Sequence, residues 1–307
     1  MTDRALEAAT LSGSDWREYS AQHIAPLLAH EMARWSTDFH WDQRWALTHV
    51  EAAREAGRLP GVVVTDAGGQ TRGWVYFFRH HGQLQIGAIV SDSADCTRAL
   101  MDFVLLSPHA AEASIVAFSP DAPGLASAFG LHGLATEPYD YLVRDAPLVA
   151  AAPRDGLRPL EPGDRSALAR VLADAYRDTT FLRPFVPAGD DDAWTEYVGQ
   201  LIDTRGCGEF LPEASAVVDD GRGGLSAALI ATKIDADTGH IAQVAVAPEA
   251  RGMGLGASLL DHALNAMDRA GCARVSLLVA RTNTGARRLY DGRGFRSVAT
   301  FLTGLRS

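Results

Sequence analysis

The chain of 307 residues, 47% hydrophobic and 21% charged, has room for two domains of ordinary size, each able to bury its own core. Its net charge of −10 argues against a nucleic-acid partner, because phosphate backbones are bound by clustered Lys and Arg. No apolar run approaches the roughly 18 residues of a membrane span, and residues 1–16 show no basic-then-apolar secretory pattern, so a cytoplasmic protein without membrane contact is expected.

In chain order, helical segments are predicted within 24–57, then strands over 61–65, 73–79 and 84–90, where β-branched and aromatic runs are broken by turn residues. A helix near 97–106, a strand at 114–118, a short helix near 124–129 and a strand around 139–144 complete the first half. Residues 146–153, Ala-Pro-Leu-Val-Ala-Ala-Ala-Pro, read as a linker, so the expected domains are 1–150 and 151–307. The second half opens with a short strand over 157–160 and a Pro-Gly-Asp turn, with Asp164 placed to cap a helix that runs to Tyr176. Leu168, Val171, Leu172 and Ala175 give that helix one apolar face. A second helix over 191–204 starts at Asp190, Asp191 and Asp192, whose charges suit a helix amino terminus.

Three extended segments, 214–219, 225–234 and 240–247, read as an antiparallel meander. A helix over 255–270, a strand over 274–280, a helix over 284–291 and a last strand from Phe295 follow. The order of elements repeats between the halves, which predicts two copies of one α/β (α+β) fold. Cys96, Cys207 and Cys272 are odd in number and widely spaced, so neither disulfides nor a metal site is expected.

The most informative segment runs from Val244 to Gly256, where a strand ends in a turn that opens a helix and three glycines fall within five positions. A helix amino terminus offers free backbone N–H groups and partial positive charge, and glycines let a pyrophosphate approach the main chain. The same glycines would also serve a plain tight turn, and a dinucleotide-binding loop uses a related pattern. The latter normally follows the first strand of a βαβ unit, whereas this loop follows a meander.

Arg251, Gly254 and Gly256 match the phosphate-binding signature of the GNAT acetyltransferases, which this segment resembles, and the preceding Val-x-Pro tract matches as well. A second resemblance lies at Asn283, Ala286, Leu289, Tyr290, Gly294 and Phe295, which fit the family pattern Asn-x-x-Ala-x-x-Leu-Tyr-x-x-x-Gly-Phe. The resemblance implies two GNAT-like domains, each a mixed, mostly antiparallel twisted sheet flanked by helices, with acetyl-CoA as co-substrate. It places the CoA pyrophosphate on Arg251, Gly252, Met253, Gly254, Gly256 and Ala257, the pantetheine arm along Val244 and Val246, and Asn283 beside the cofactor. Tyr290 would lie near the sulfur and supply a proton to the departing thiolate. Ala286, Leu289, Gly294 and Phe295 are structural positions of the same pattern.

Family members often carry an acidic residue on the strand before the phosphate loop, where this chain has His240-Ile241-Ala242-Gln243. Gln243 cannot be a base but can orient water or the acceptor; His240 is the nearest titratable group, beside a turn where an exposed histidine without a role fits equally well. Cys207 reads as a loop residue bordering the acceptor pocket, and residues 179–187 as a wall of it. In the first copy the corresponding turn, residues 91–97, holds no glycine but carries Asp92 and Asp95, which oppose a pyrophosphate, so that copy is expected to be degenerate. The motifs single out no acceptor and no particular tandem member of the family. The expected function is acetyl transfer from acetyl-CoA to a primary amine of a small molecule or peptide, the alternative being a non-catalytic acyl-CoA-binding module.

Overall fold

The computed structural model describes residues 11–80, 82–152, 156–186 and 189–307. The first elements are β1 (Ser12–Asp15), α1 (Ala21–Phe39), α2 (Arg44–Glu55), β2 (Gly61–Thr65), β3 (Thr71–His80), β4 (Gln83–Ser91), α3 (Ala94–Leu105), β5 (Ser114–Pro120), α4 (Leu125–Leu131) and β6 (Ala135–Asp145). They continue as β7 (Leu157–Pro159), α5 (Arg165–Tyr176), α6 (Asp191–Asp203), β8 (Glu209–Phe210), β9 (Ala216–Asp219), β10 (Leu225–Asp235) and β11 (Thr238–Val246). Last come α7 (Leu255–Arg269), β12 (Arg274–Ala280), α8 (Thr284–Asp291) and β13 (Arg296–Arg306).

Two compact units form, and neither is a single stretch of sequence. Among the described residues, one gathers 11–30, 48–138 and the carboxy-terminal 301–307; the other gathers 31–47 and those within 139–300. A single cut near residue 150 therefore does not separate them. Strand pairing is the reason: β6, coded in the first half, pairs antiparallel with the whole of β12, and residues 301–306 of β13 pair with β5. The expected linker, as far as Ala152, stays close to the second unit, since Ala150 donates to the Asn265 side chain and Leu148 is fully buried. Pro153, at its end, lies outside the described residues.

In the first unit the strands run in the order β1-β2-β3-β4-β5-β13, with β4 and β5 the parallel pair. Its core gathers Val75, Leu84, Ile86, Leu100, Met101, Val104 and Phe129. In the second unit the order is β6-β12-β11-β10-β9-β7, with β11 and β12 parallel and the other neighbours antiparallel. The mixed, mostly antiparallel architecture is thus present in both.

The second unit buries a core on each face of its sheet. On one, α7 presents Leu259, Leu260, Ala263, Leu264 and Met267, the spacing of a single helical face, and each leucine contributes about 2 kcal/mol by leaving water. Gly239 lets that helix approach, because a Cβ there would meet Met267 Sδ at 2.5 Å. On the other face, Leu168 and Leu172 of α5 and Trp194 and Val198 of α6 cover Ala228, Ile230 and Ala245. Asp190 caps α6 as its sequence implies, accepting from the Ala193 N–H at 2.7 Å. Asp164 does not cap α5: its carboxylate turns back to the Glu161 N–H and to Arg158, because a short 3-10 turn over Pro162–Asp164 precedes the helix.

Candidate active site

Strand β11 positions the site through two irregularities. Against β10 its register runs Ile230 to Gln243 and then Ala231 to Ile241, so Ala242 is an extra residue and the strand bulges there. The bulge turns Gln243 toward the α5 and α6 face. Against β12 the parallel ladder covers only Thr238 to Ile241, although both strands continue. The two strands part, and the backbone of residues 243–246 has a strand partner on the β10 side alone. Val244 and Val246 lie in this opened stretch, half-buried against the α7 core.

Beyond β11 the chain makes a one-turn 3-10 segment, Pro248–Ala250, and enters the glycine loop. Gly252 and Gly254 have φ of 77° and 80°, the left-handed region that favours glycine. Gly254 is the amino-terminal cap of α7; no side chain caps the helix there and its first turn holds no acid. The first-turn N–H groups therefore remain available to an external anion. Gly256 and Ala257 lie in that turn, Met253 is 58% exposed beside it, and Arg251 ties the loop to α5 by donating to the Ala175 carbonyl at 2.9 Å.

On α8, Asn283 accepts from the Ala286 N–H at 3.2 Å and so caps the helix. Asp140 of β6, 4% exposed, accepts from Arg281 and Arg287 and fixes the same end. Phe295 is buried in the α7 core and Gly294, at φ 76°, makes the turn into the last strand. Tyr290 is 7% exposed, and its hydroxyl has no hydrogen-bond partner among the described residues. Burial pushes its phenol up to about 12, so it stays protonated at neutral pH.

Gln243 is clamped between two half-buried tyrosines. Tyr176, the last residue of α5, donates to its Oε1 at 2.7 Å, and its Nε2 donates to the Tyr197 hydroxyl of α6 at 2.6 Å. Tyr176 also feels Tyr290 electrostatically, and Tyr197 feels Cys207, which joins these groups in one neighbourhood. Sequence reasoning missed Tyr176 and Tyr197, since nothing local pairs residues 67 and 46 positions away from Gln243. His240 is not part of this cluster. It is 3% exposed rather than open to solvent, its Nδ1 pairs with Ser276 Oγ at 2.9 Å, and its ring lies 5.0 Å from Trp41. Burial pushes the imidazole down to about 3.

The first unit repeats the framework without the loop. Its β3 and β4 shift register at Gly87, and its parallel β4–β5 ladder ends at Ile86 and Ala117. Here the helix start is occupied from within: Ser93 caps α3 by accepting from the Cys96 N–H, and Asp92 pairs with Arg72 at 2.5 Å. The Tyr76 ring lies across Gly87, filling the space beside the bulge.

Residues 171–295 match the family model described as Acetyltransferase (GNAT) family. A mycothiol acetyltransferase from Beutenbergia cavernae is 45% identical over 83 residues, 27% of this chain and 28% of that protein, a likeness to a particular protein that the motifs by themselves do not single out. Among solved structures, a GCN5-related N-acetyltransferase from Sphaerobacter thermophilus matches with a TM-score of 0.62 and 19% identity, over 96% of this chain and 95% of that one. A tandem GNAT protein from the clavulanic acid biosynthesis pathway matches with a TM-score of 0.62 and 15% identity, over 97% and 98%. No helix among the described residues is long and apolar enough to cross a membrane. The likeness to the GNAT acetyltransferase family thus lies in residues 171–295, which hold both the glycine loop and α8.

Proposed function

We propose that the second unit transfers an acetyl group directly from acetyl-CoA to a primary amine of a small molecule or peptide. The observation that carries this reading is the conjunction, at the end of one strand, of the β11–β12 opening with an uncapped, acid-free helix start and a buried phenol that has no hydrogen-bond partner among the described residues. The family match and the acetyltransferase relative support the same chemistry. The residues present fit an acyl-CoA. The N–H groups of residues 252–257 would hold the pyrophosphate, with Arg251 bracing the loop, and the open backbone at Val244 and Val246 would pair with the pantetheine amides. Asn283 contributes by holding α8, and thus Tyr290, in place.

The amine nitrogen attacks the thioester carbonyl carbon, the C–S bond breaks, and the thiolate takes its proton from the Tyr290 hydroxyl. The proton that the amine loses leaves to water held near Gln243, whose orientation Tyr176 and Tyr197 fix. The Tyr290 phenolate regains a proton from water, so that the net transfer is one proton from nitrogen to sulfur. His240, neutral and tied to Ser276, serves packing in this scheme. The first unit is read as a degenerate copy whose anion site is closed by its own Ser93.

The test is CoA release from acetyl-CoA across a panel of amines, followed over pH. Tyr290 is protonated below about 12 and His240 neutral above about 3, and no carboxylate hydrogen-bonds to Gln243 or Tyr290 among the described residues. Hence kcat/KM should rise with pH and level off at the acceptor's own amine pKa, with no falling limb below roughly pH 10. An inflection near 6 to 7 shared by acceptors of different basicity would demand an enzyme base, roughly in the histidine range. Binding of acetyl-CoA with no amine ever acetylated would return the chain to a non-catalytic acyl-CoA-binding module.

A further inference from the structure

Arg183 lies in the segment between α5 and α6, half-buried among aromatic rings. Its guanidinium carbon is 5.9 Å from the centre of the Tyr176 ring and 5.6 Å from that of Trp194, and Nη1 donates to the Tyr176 carbonyl at 2.7 Å. No carboxylate among the described residues pairs with it; burial and the hydroxyls of Tyr176 and Tyr139 are the influences on its charge. Other arginines of this unit, Arg158, Arg281, Arg287 and Arg293, are each matched to an aspartate. Withdrawing a guanidinium from water without a counter-ion is costly, and a planar fork with most of its N–H donors unused among the described residues suits an oxyanion. Tyr176, which holds Arg183 through its ring and carbonyl, is also the residue whose hydroxyl orients Gln243.

We propose that Arg183 binds an oxyanion on the acceptor, so that the acceptor is an amine that also carries a carboxylate or a phosphate. The inference rests on the acetyl-transfer reading of the same site and narrows it. A fixed cation beside the acceptor also opposes a second positive charge, which holds the reacting amine in its neutral form and selects against acceptors with several ammonium groups.

The experiment measures binding, by calorimetry, of matched amines to the full chain saturated with CoA: L-phenylalanine against L-phenylalaninamide, and glucosamine 6-phosphate against glucosamine. At least one anionic member should bind roughly 10-fold or more tightly than its twin, and the pair that shows the gap tells carboxylate from phosphate. Arg183→Gln should erase the gap while acetyl-CoA affinity stays unchanged, and Arg183→Lys should retain part of it. Equal binding within both pairs by the unaltered protein, or a gap that survives in Arg183→Gln, would overturn the assignment. The first of these results does not depend on the variant folding. Because the readout is binding, a gap without any CoA release from acetyl-CoA would keep Arg183 as an oxyanion receptor and sink acetyl transfer.

Discussion

Gly254→Asp is expected to abolish acetyl-CoA binding while the protein remains folded. Position 254 is the amino-terminal cap of α7 at φ 80°. Aspartate tolerates the left-handed region better than most residues, and its side chain is a favoured helix cap, so strain of about 1 kcal/mol is partly offset. Binding has no such compensation. The new carboxylate would take the first-turn N–H groups for itself and set a negative charge against the pyrophosphate, for a loss of roughly 100-fold or more in affinity. Gly254→Ala separates the two effects, since it carries the backbone strain without the charge; it should cost stability yet keep affinity within about 10-fold. Calorimetry with acetyl-CoA, alongside circular dichroism of each variant, reads both quantities. Ordinary affinity in a folded Gly254→Asp protein would remove the anion from this loop.

The first unit already holds a natural analogue of that variant. Ser93 occupies the cap of α3 and Asp95 lies in its first turn, so the helix start left without a side-chain cap in the second unit is satisfied internally in the first. This difference was legible in the sequence, because a glycine loop and its replacement by Ser91-Asp92-Ser93 are local in the chain. The same holds for Gly294 and Phe295, which take the turn and core positions that the pattern implies, whereas Asn283, expected beside the cofactor, is seen to cap α8.

Long-range pairings were not legible. Exchange of β6 and the end of β13 between the two halves depends on which strand edges meet, and a strand's own pattern fixes its buried face rather than its neighbour. The bulge at Ala242 likewise appears only in the register with β10. Without it Gln243 would share the face of Ile241 and could not reach Tyr176 and Tyr197. His240 illustrates the same limit from the other side. Its place beside a turn suggested exposure, but Trp41, far away in sequence, packs on its ring and helps bury it. The segment 179–187 is described as far as Val186, and it holds Arg183, whose lack of a carboxylate partner among the described residues could be known only once the neighbours were placed.

Tyr290→Phe should lower kcat by about 100-fold or more and leave acetyl-CoA affinity within about 2-fold. The ring is a packing element: it meets Phe295 edge-on at 5.9 Å and belongs to the α7 core, and phenylalanine keeps those contacts. The hydroxyl is different, because among the described residues it has no hydrogen-bond partner to lose. Its removal therefore costs the ground state little. Charge develops on sulfur only as the C–S bond breaks, so a proton donor at that point lowers the barrier without tightening binding, and 100-fold corresponds to about 2.7 kcal/mol of transition-state stabilisation. The pH profile adds a second readout. A phenol pushed up to about 12 donates throughout the working range, so the variant should be slower at every pH with the same dependence on the acceptor's amine. Single-turnover measurement of CoA release excludes a slow product step from the comparison. An unchanged chemical rate in Tyr290→Phe would make this tyrosine a core residue and pass the proton to water.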